Sequence, residues 1–529
     1  MYNRTISCIG SKRKLMSKEV YISNRNLSIE DFINVCRNYY QVVITKDAYE
    51  KVEGSRKTIE KIVKEKQCVY GVTTGFGCFS NVNISQEECK KLQSNLIMSH
   101  ATGIGDYFHT EIVRGMMLLR IVNLLKGYSG VRTVVIDTLV KMLNAKVHPC
   151  VPSKGSLGAS GDLVPMAHTI LPMLGQGYAE YAGEILTGRE AMKRANIETI
   201  ELVEKEGLAC INGTQAMTSV GAFVVYDAIG IMKTANVAAA LSFEALQGVC
   251  DVLDERVHLL RPHKGALTTA KSIHQLLKGS KYISHQGELR VQDGYSLRCV
   301  PQVHGASLDT LNYVKEKIEI EMNSVTDNPI VFSDCNEVIS AGNFHGQPIA
   351  LCMDFLGIAL AEIANISERR IERLVNSSLN NGLPCFLVND GGYNSGFMIV
   401  QYSAASLVAE NKVLAHPACV DSIPSSCNQE DHVSMGTISA RKARDILGNT
   451  RKVLAMEMLC ACQGIDLRKK KQLGMGTSVA YQVLRKKVSK LEADREMFLD
   501  INSAEEIIIN EELISEIEKK IGKMQLTNM

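Results

Sequence analysis

Between Thr214 and Asp251 the chain reads TQAMTSVGAFVVYDAIGIMKTANVAAALSFEALQGVCD, with no proline. Val220, Phe223, Tyr226, Ile229, Val237, Leu241 and Leu246 recur among many alanines and fall on more than one helical face. A helix that is apolar on most sides has to be buried on most sides, so this stretch predicts a long core helix. The same pattern returns around Ala306–Ser324, Pro348–Ser377, Ser395–Ala415 and Ser434–Gln463, each bounded by Gly, Pro or Asn-rich breaks. The expected fold class is therefore mainly α, a long-helix bundle with a loop-rich N-terminal region.

Outward from that core the character of the chain changes. Up to about residue 210, glycines cluster at Gly71, Gly75 and Gly77, at Gly103 and Gly105, and from Gly155 to Gly161, where backbone can approach a ligand closely. Ile112, Met116 and Leu119, with Val113, Met117, Ile121 and Leu124, recur at helical spacing with Arg114, Arg120 and Lys126 interspersed, which predicts an amphipathic helix. Beyond Asp466, Lys469–Lys471 and Lys486–Lys487 give way to the acidic Glu505, Glu506, Glu511 and Glu512, the pattern of a solvated region of shorter helices. The expected division is a tail over 1–26, an N-terminal domain over 27–210, a central bundle over 211–465 and a charged helical region over 466–529.

Composition narrows the function. Of 529 residues, 45% are hydrophobic and 22% charged, with a formal net charge of +2; the chain can bury a core and has no broad field to attract nucleic acid or an anionic membrane. Sixteen cysteines are scattered with none spaced C-x-x-C, as expected of small buried hydrophobes in a reducing cytoplasm. The uncharged stretches Gly207–Tyr226 and Gly391–Ala409 carry Asn, Gln and Ser and read as buried helices, not membrane spans. The basic first eighteen residues lack the apolar block of a secretion signal, leave a weak organellar address open, and contain Met16 as an alternative start. No phosphate-loop, H-E-x-x-H or G-x-S-x-G motif occurs, and His304, His345 and His432 have no paired ligand at short spacing. Neither a nucleotide nor a metal is expected.

The segment that carries chemistry is Gly155-Ser156-Leu157-Gly158-Ala159-Ser160-Gly161-Asp162-Leu163-Val164-Pro165-Met166-Ala167-His168. A glycine nitrogen, free of side-chain crowding, can bend back on the carbonyl two residues earlier, and a serine between them can lose water to leave an exocyclic methylene. The product is a five-membered electrophilic ring. In this context the segment resembles the signature of the aromatic amino acid ammonia-lyase and aminomutase family. There the prosthetic group 4-methylidene-imidazol-5-one forms from this tripeptide, here Ala159, Ser160 and Gly161, with no added cofactor. The resemblance runs from about Leu27 to Leu467 and implies the fumarase/aspartase-like superfamily architecture, with the ring loop in the N-terminal domain.

Other family motifs follow in order. Tyr70 opens Tyr-Gly-Val-Thr-Thr-Gly-Phe-Gly, which resembles the loop carrying the catalytic base. Asn212 in Ile-Asn-Gly-Thr-Gln matches an asparagine near the ring and the substrate. Gln292, Tyr295 and Arg298 stand in Gln-Asp-Gly-Tyr-Ser-Leu-Arg-Cys-Val-Pro-Gln-Val-His-Gly, where a guanidinium fork suits a substrate carboxylate. Phe344 in Gly-Asn-Phe-His-Gly-Gln resembles the aromatic beside the ring. For the substrate side chain, His100 in Ser-His-Ala-Thr-Gly, Met398, and Gln429 and Glu430 in Asn-Gln-Glu-Asp-His-Val-Ser-Met resemble the histidine-specific members; a carboxylate can accept the N–H of an imidazole. Gly346-Gln347 departs toward the tyrosine and phenylalanine enzymes, which keeps a tyrosine lyase or 2,3-aminomutase as the alternative. The resemblance thus implies deamination of L-histidine to trans-urocanate and ammonia by a cytoplasmic homotetramer.

Overall fold

The computed structural model describes residues 18–23, 25–75 and 86–526. Phe76 and Gly77 of the Tyr70 motif, the basic N-terminal stretch and Met16 lie outside the described residues. By contacts the chain divides into two units, Met1–Lys154 with Val164–Ile211 and Asp327–Ala341, and Gly155–Leu163 with Asn212–Thr326 and Gly342–Met529.

The first unit surrounds helix Thr110–Leu125. Sequence predicts this helix to be amphipathic, yet residues 112–125 are all buried, Arg114 and Arg120 included. The arginines are tolerated because they cap carbonyls that other elements leave open. Arg114 donates to the carbonyls of Val35 at 2.7 Å, Leu143 at 2.9 Å and Cys36 at 3.1 Å, and Arg120 to that of Ala209 at 2.9 Å. A buried charge held by hydrogen bonds to several carbonyls serves as a cross-link where an unbonded one would be expelled. Lys205 and Asp327, both fully buried, pair at 2.7 Å and tie the returning segment Asp327–Ala341 into this unit. Short strands complete it: Glu19–Ile22 runs parallel to Gln41–Ile44, and His148–Pro149, Tyr178–Tyr181 and Glu184–Thr187 form an antiparallel sheet.

The second unit is the expected bundle. Its long helices span Gln215–Ala245, Val300–Glu321, Gln347–Val375, Met398–Leu414 and Gly436–Leu467, and the 436–467 helix packs against those at 215–245 and 347–375. Arg370 and Glu457 meet at this centre, Nε to Oε1 at 2.5 Å and Nη2 to Oε2 at 2.8 Å. The hydroxyls of Ser242 and Ser367 complete the carboxylate at 2.7 and 2.6 Å. Losing one partner of so buried a pair would strand the other.

Helices 215–245 and 347–375 are long and apolar enough to cross a membrane, but 78% and 67% of their most apolar windows are buried in the protein. The stretch Gly207–Tyr226 does not form one helix: it breaks at Asn212–Thr214 between helices Glu206–Ile211 and Gln215–Ala245. Gly391–Ala409 is likewise half loop, becoming helical at Met398. In each case the break places a candidate site residue at a helix end. The terminal region forms helices Met475–Lys487, Met497–Ile509 and Glu512–Ile521. It is less solvated than its charge suggests, since Glu505 is nearly buried between Arg451 and Lys452, and Lys233 pairs with Glu518 at 2.6 Å.

Candidate active site

The tripeptide Ala159-Ser160-Gly161 sits in a loop bent by two left-handed glycines, Gly158 with φ +76° and Gly161 with φ +72°. Gly161 lies against Gly213 in an isolated parallel bridge, and the Asp162 amide donates to the Gly213 carbonyl at 2.7 Å. A Cβ on Gly161 would stand 2.2 Å from that carbonyl oxygen, and one on Gly158 would stand 2.4 Å from Ser434 Oγ. Both the turn and the contact therefore require glycine.

Beneath the loop Asp162 acts as a clamp. Its fully buried carboxylate accepts from the Met217 amide at 2.8 Å, at the start of the 215–245 helix, from Ser156 Oγ at 3.0 Å, and from Thr437 Oγ1, in the first turn of the 436–467 helix. Burial raises the Asp162 pKa, while its hydrogen bonds to Thr437, Met217 and Ser156 oppose the rise. Met217 and Thr437 sit in the first turns of two helices, where N–H groups are unpaired and the dipole ends are positive. Ser434 adds a second tie, its amide and hydroxyl both donating to the Gly158 carbonyl, at 3.1 and 3.0 Å. Asp162, Ser434 and Thr437 carry no role in the sequence reading; the only available signal was an acid directly after a Gly-flanked tripeptide.

Above the clamp, half-buried Ser160 directs its hydroxyl outward, donating to Glu430 Oε1 at 3.0 Å. Glu430 is itself anchored. Its Oε2 accepts from Ser425 Oγ at 3.1 Å, and the two backbones pair in an antiparallel bridge of 2.9 and 3.2 Å. The loop reaches this geometry through three successive left-handed residues, Ser426, Cys427 and Asn428, with φ of 51°, 55° and 65°. Such conformations cost of order 1 kcal/mol each in non-glycine residues and cluster at functional sites. Gln429, next in line, is exposed, with its amide on the Ser426 carbonyl at 3.0 Å.

The carboxylate-binding candidates gather on the turn 292–298. Arg298 Nη1 donates to Gln292 Oε1, and the guanidinium lies 4.7 Å from the Tyr295 ring centroid. Arg298 Nε is buried with no hydrogen-bond partner among the described residues, which leaves a donor for a carboxylate. Tyr295 is 70% exposed. The buried Arg370 supports the turn from below, Nη1 to the Ser296 carbonyl at 3.4 Å. Asn212 is buried, adjoining the Gly213 contact, while Phe344 is half-buried and Met398 opens its helix half-buried.

Gly346 has a packing reason: a Cβ there would meet Met217 Sδ at 2.5 Å and Ser434 Oγ at 2.9 Å. Tyr70 and His100 belong to the first unit. Tyr70 is half-buried in the turn after helix Lys46–Lys64, and His100 ends helix Gln86–His100 with Nδ1 2.8 Å from the Leu96 carbonyl.

The three histidines considered as ligands do not converge. His304 is buried with Nδ1 2.9 Å from Asn236 Oδ1, and burial, with the Arg370 charge beside it, lowers its pKa well below the usual histidine range. His345 and His432 stack with centroids 5.7 Å apart. Among the described residues, one group has ligand atoms close enough for a metal: Cys250, Asp251 and His285. There Asp251 holds the His285 pKa up, and burial pushes the Cys250 thiol up to about 11. The tripeptide loop, by contrast, fits the prosthetic ring that its signature implies: a sharp bend, glycine where the ring nitrogen must close, and a serine hydroxyl with a carboxyl partner.

Comparison with known proteins agrees. The family model for aromatic amino acid lyases matches residues 27–486. A histidine ammonia-lyase of Alkaliphilus oremlandii is 56% identical over 504 residues, 95% of this chain and 99% of that one. Among solved structures, histidine ammonia-lyase from Trypanosoma cruzi superposes with a TM-score of 0.89 at 37% identity, covering 97% of this chain and 98% of that one. Tyrosine aminomutase from Streptomyces globisporus gives 0.92 at 36%, covering 96% and 100%.

Proposed function

We propose, on the premise that this chain belongs to the aromatic amino acid lyase family, that it is an ammonia-lyase converting L-histidine to trans-urocanate and ammonia. The observation that carries the reading is Glu430 standing against Ser160, together with near-full-length identity above 50% to relatives named for histidine. A tyrosine reading rests on Gly346-Gln347, and the close fit of Gly346 against Met217 and Ser434 accounts for the glycine without reference to substrate.

The β-hydrogen of an amino acid is too weakly acidic for a side-chain base alone, and ammonia leaves poorly. The 4-methylidene-imidazol-5-one formed from Ala159, Ser160 and Gly161 supplies an electrophilic carbon that draws electrons from the substrate amine. The chain's other residues then bind and move protons. Arg298 and Tyr295 hold the carboxylate, and Asn212 and Gln292 orient it. Phe344 packs beside the ring; His100, Met398, Gln429 and Glu430 select the imidazole. Tyr70, as a phenolate, takes the β-proton, and since a free phenol titrates near pH ~10 the environment has to lower that value for work at neutral pH.

A cytoplasmic homotetramer is part of the same reading. Leu351, Phe355 and Ile358 on the 347–375 helix and Tyr313 and Ile320 on the 300–321 helix are exposed, an apolar face suited to burial against further copies of the chain. The deciding experiment is incubation of pure protein with L-histidine, L-tyrosine and L-phenylalanine separately. Urocanate from histidine alone is expected, whereas coumarate or a β-amino acid without urocanate would move the assignment to the tyrosine enzymes.

A further inference from the structure

Sequence assigns Glu430 to the substrate, but in the structure it holds Ser160. The serine hydroxyl meets Oε1 at 3.0 Å, while Oε2 is fixed by Ser425 and the backbone by the Ser425 bridge. The nearby acid Asp162 cannot stand in for it, because Met217, Ser156 and Thr437 take up its oxygens beneath the loop. Ring formation must expel the Ser160 oxygen, and hydroxide is a poor leaving group unless it receives a proton as the bond breaks.

We propose that Glu430 is a catalytic residue of ring maturation before it is a residue of substrate selection, and that maturation itself releases it for the second role. This rests on the reading of Ala159–Gly161 as the ring precursor. In the first condensation the Gly161 nitrogen bonds to the Ala159 carbonyl carbon. The Ala159 oxygen departs as water with the protons of the Gly161 and Ser160 amides. In the second, Glu430 Oε1, which accepts from Oγ at 3.0 Å in the unreacted chain, takes a proton from solvent and delivers it to Oγ as the Ser160 Cβ–Oγ bond breaks. The Cα proton passes to solvent water, the Cα=Cβ bond forms, and Glu430 is left as the carboxylate. Two waters leave and nothing is oxidised or reduced. With Oγ gone, Oε1 loses its partner while Oε2 stays on Ser425, so an oriented carboxylate faces the loop only in the matured chain.

The test is peptide mass on timed samples from cell-free synthesis, reading the segment that contains Ala159–Gly161, with circular dichroism confirming the fold. The unmutated chain is expected to lose two waters. Glu430→Ala, and the isosteric Glu430→Gln should the alanine variant not fold, are expected to lose the Ser160 oxygen roughly 100-fold more slowly, the lower range for a positioned general acid. Ser425→Ala should slow the step less. If both Glu430 variants lose two waters on the unmutated time course, the maturation role is overturned while the family reading stands. An unmutated chain that loses no water overturns both.

Discussion

The loop around Ser160 and the turn around Arg298 lie in the same unit, yet they are finished to different degrees. The tripeptide loop is met at four points from within the chain: the Gly213 carbonyl at Gly161, Ser434 at Gly158, Asp162 below and Glu430 above. The turn is open. Tyr295 is 70% exposed, Gln292 is exposed, and Arg298 Nε lacks a hydrogen-bond partner among the described residues. An intramolecular cyclisation needs reacting atoms held rigidly and can be served by one chain, whereas a carboxylate site must admit its ligand. Rigid making and open binding are thus separated along the same chain.

The largest effect expected from this contrast is at Ser160. Ser160→Ala removes the precursor of the methylidene carbon and leaves the buried clamp untouched, so the variant should fold as the unmutated protein does. It should lose about 1000-fold or more in kcat/KM for histidine, the scale on which a group acting only in the transition state is lost. A fully active Ser160→Ala would end the mechanism. Gly161→Ala strikes the rigid half instead. Its Cβ would lie 2.2 Å from the Gly213 oxygen in a residue at φ +72°, so a stability loss of about 2–4 kcal/mol is expected by denaturant unfolding, with incomplete loss of water at the tripeptide. An unchanged midpoint and complete processing would show the loop to be far less tightly held than its contacts imply.

How far this contrast was legible in sequence depends on whether the cause is local. The bundle was legible because burial on several faces leaves apolar residues on several faces, as from Val220 to Leu246. The tripeptide was legible because its chemistry lies in three consecutive residues. Arg114 and Arg120 misled because an arginine at helical spacing reads as a wet face, and only the tertiary fold supplies the carbonyls of Val35, Leu143 and Ala209 that admit it to the core. The Asp162 clamp was missed for a similar reason: Thr437 is an ordinary helix-start residue until the fold brings it to the carboxylate. The contact between Ser160 and Glu430 joins residues 270 positions apart, and no local pattern encodes it.

On the open half, Arg298→Lys keeps the charge but loses the planar fork, and with it the Nε donor and the contact to Gln292. A rise of roughly 10- to 100-fold in KM for histidine is expected, with kcat changed less and water loss at the tripeptide complete, because uniform substrate binding is what a carboxylate anchor supplies. Equal damage to kcat and to ring formation would mean that the turn and the loop are one rigid assembly, and the comparison would fail.

The smallest expected effect concerns what lies outside one chain. If the open half is completed by other copies, the exposed apolar residues should hold those copies together, and Phe355, 42% exposed on the 347–375 helix, is a suitable place to interfere. Phe355→Glu adds a charge that must be desolvated at an interface while changing little in a free chain, and a weakening of roughly 10- to 100-fold in the assembly's dissociation constant is expected. Light scattering and histidine turnover across a dilution series read the two consequences together. Activity should fall in step with the loss of assembled mass, and it should fall at higher protein concentration in Phe355→Glu than in the unmutated chain. Ring formation should be the same in both, since each contact on the tripeptide named above comes from the chain that carries it. An active monomer at working dilution would instead place a complete carboxylate site within a single chain, and the exposure of Tyr295 would then be no more than the mouth through which histidine enters.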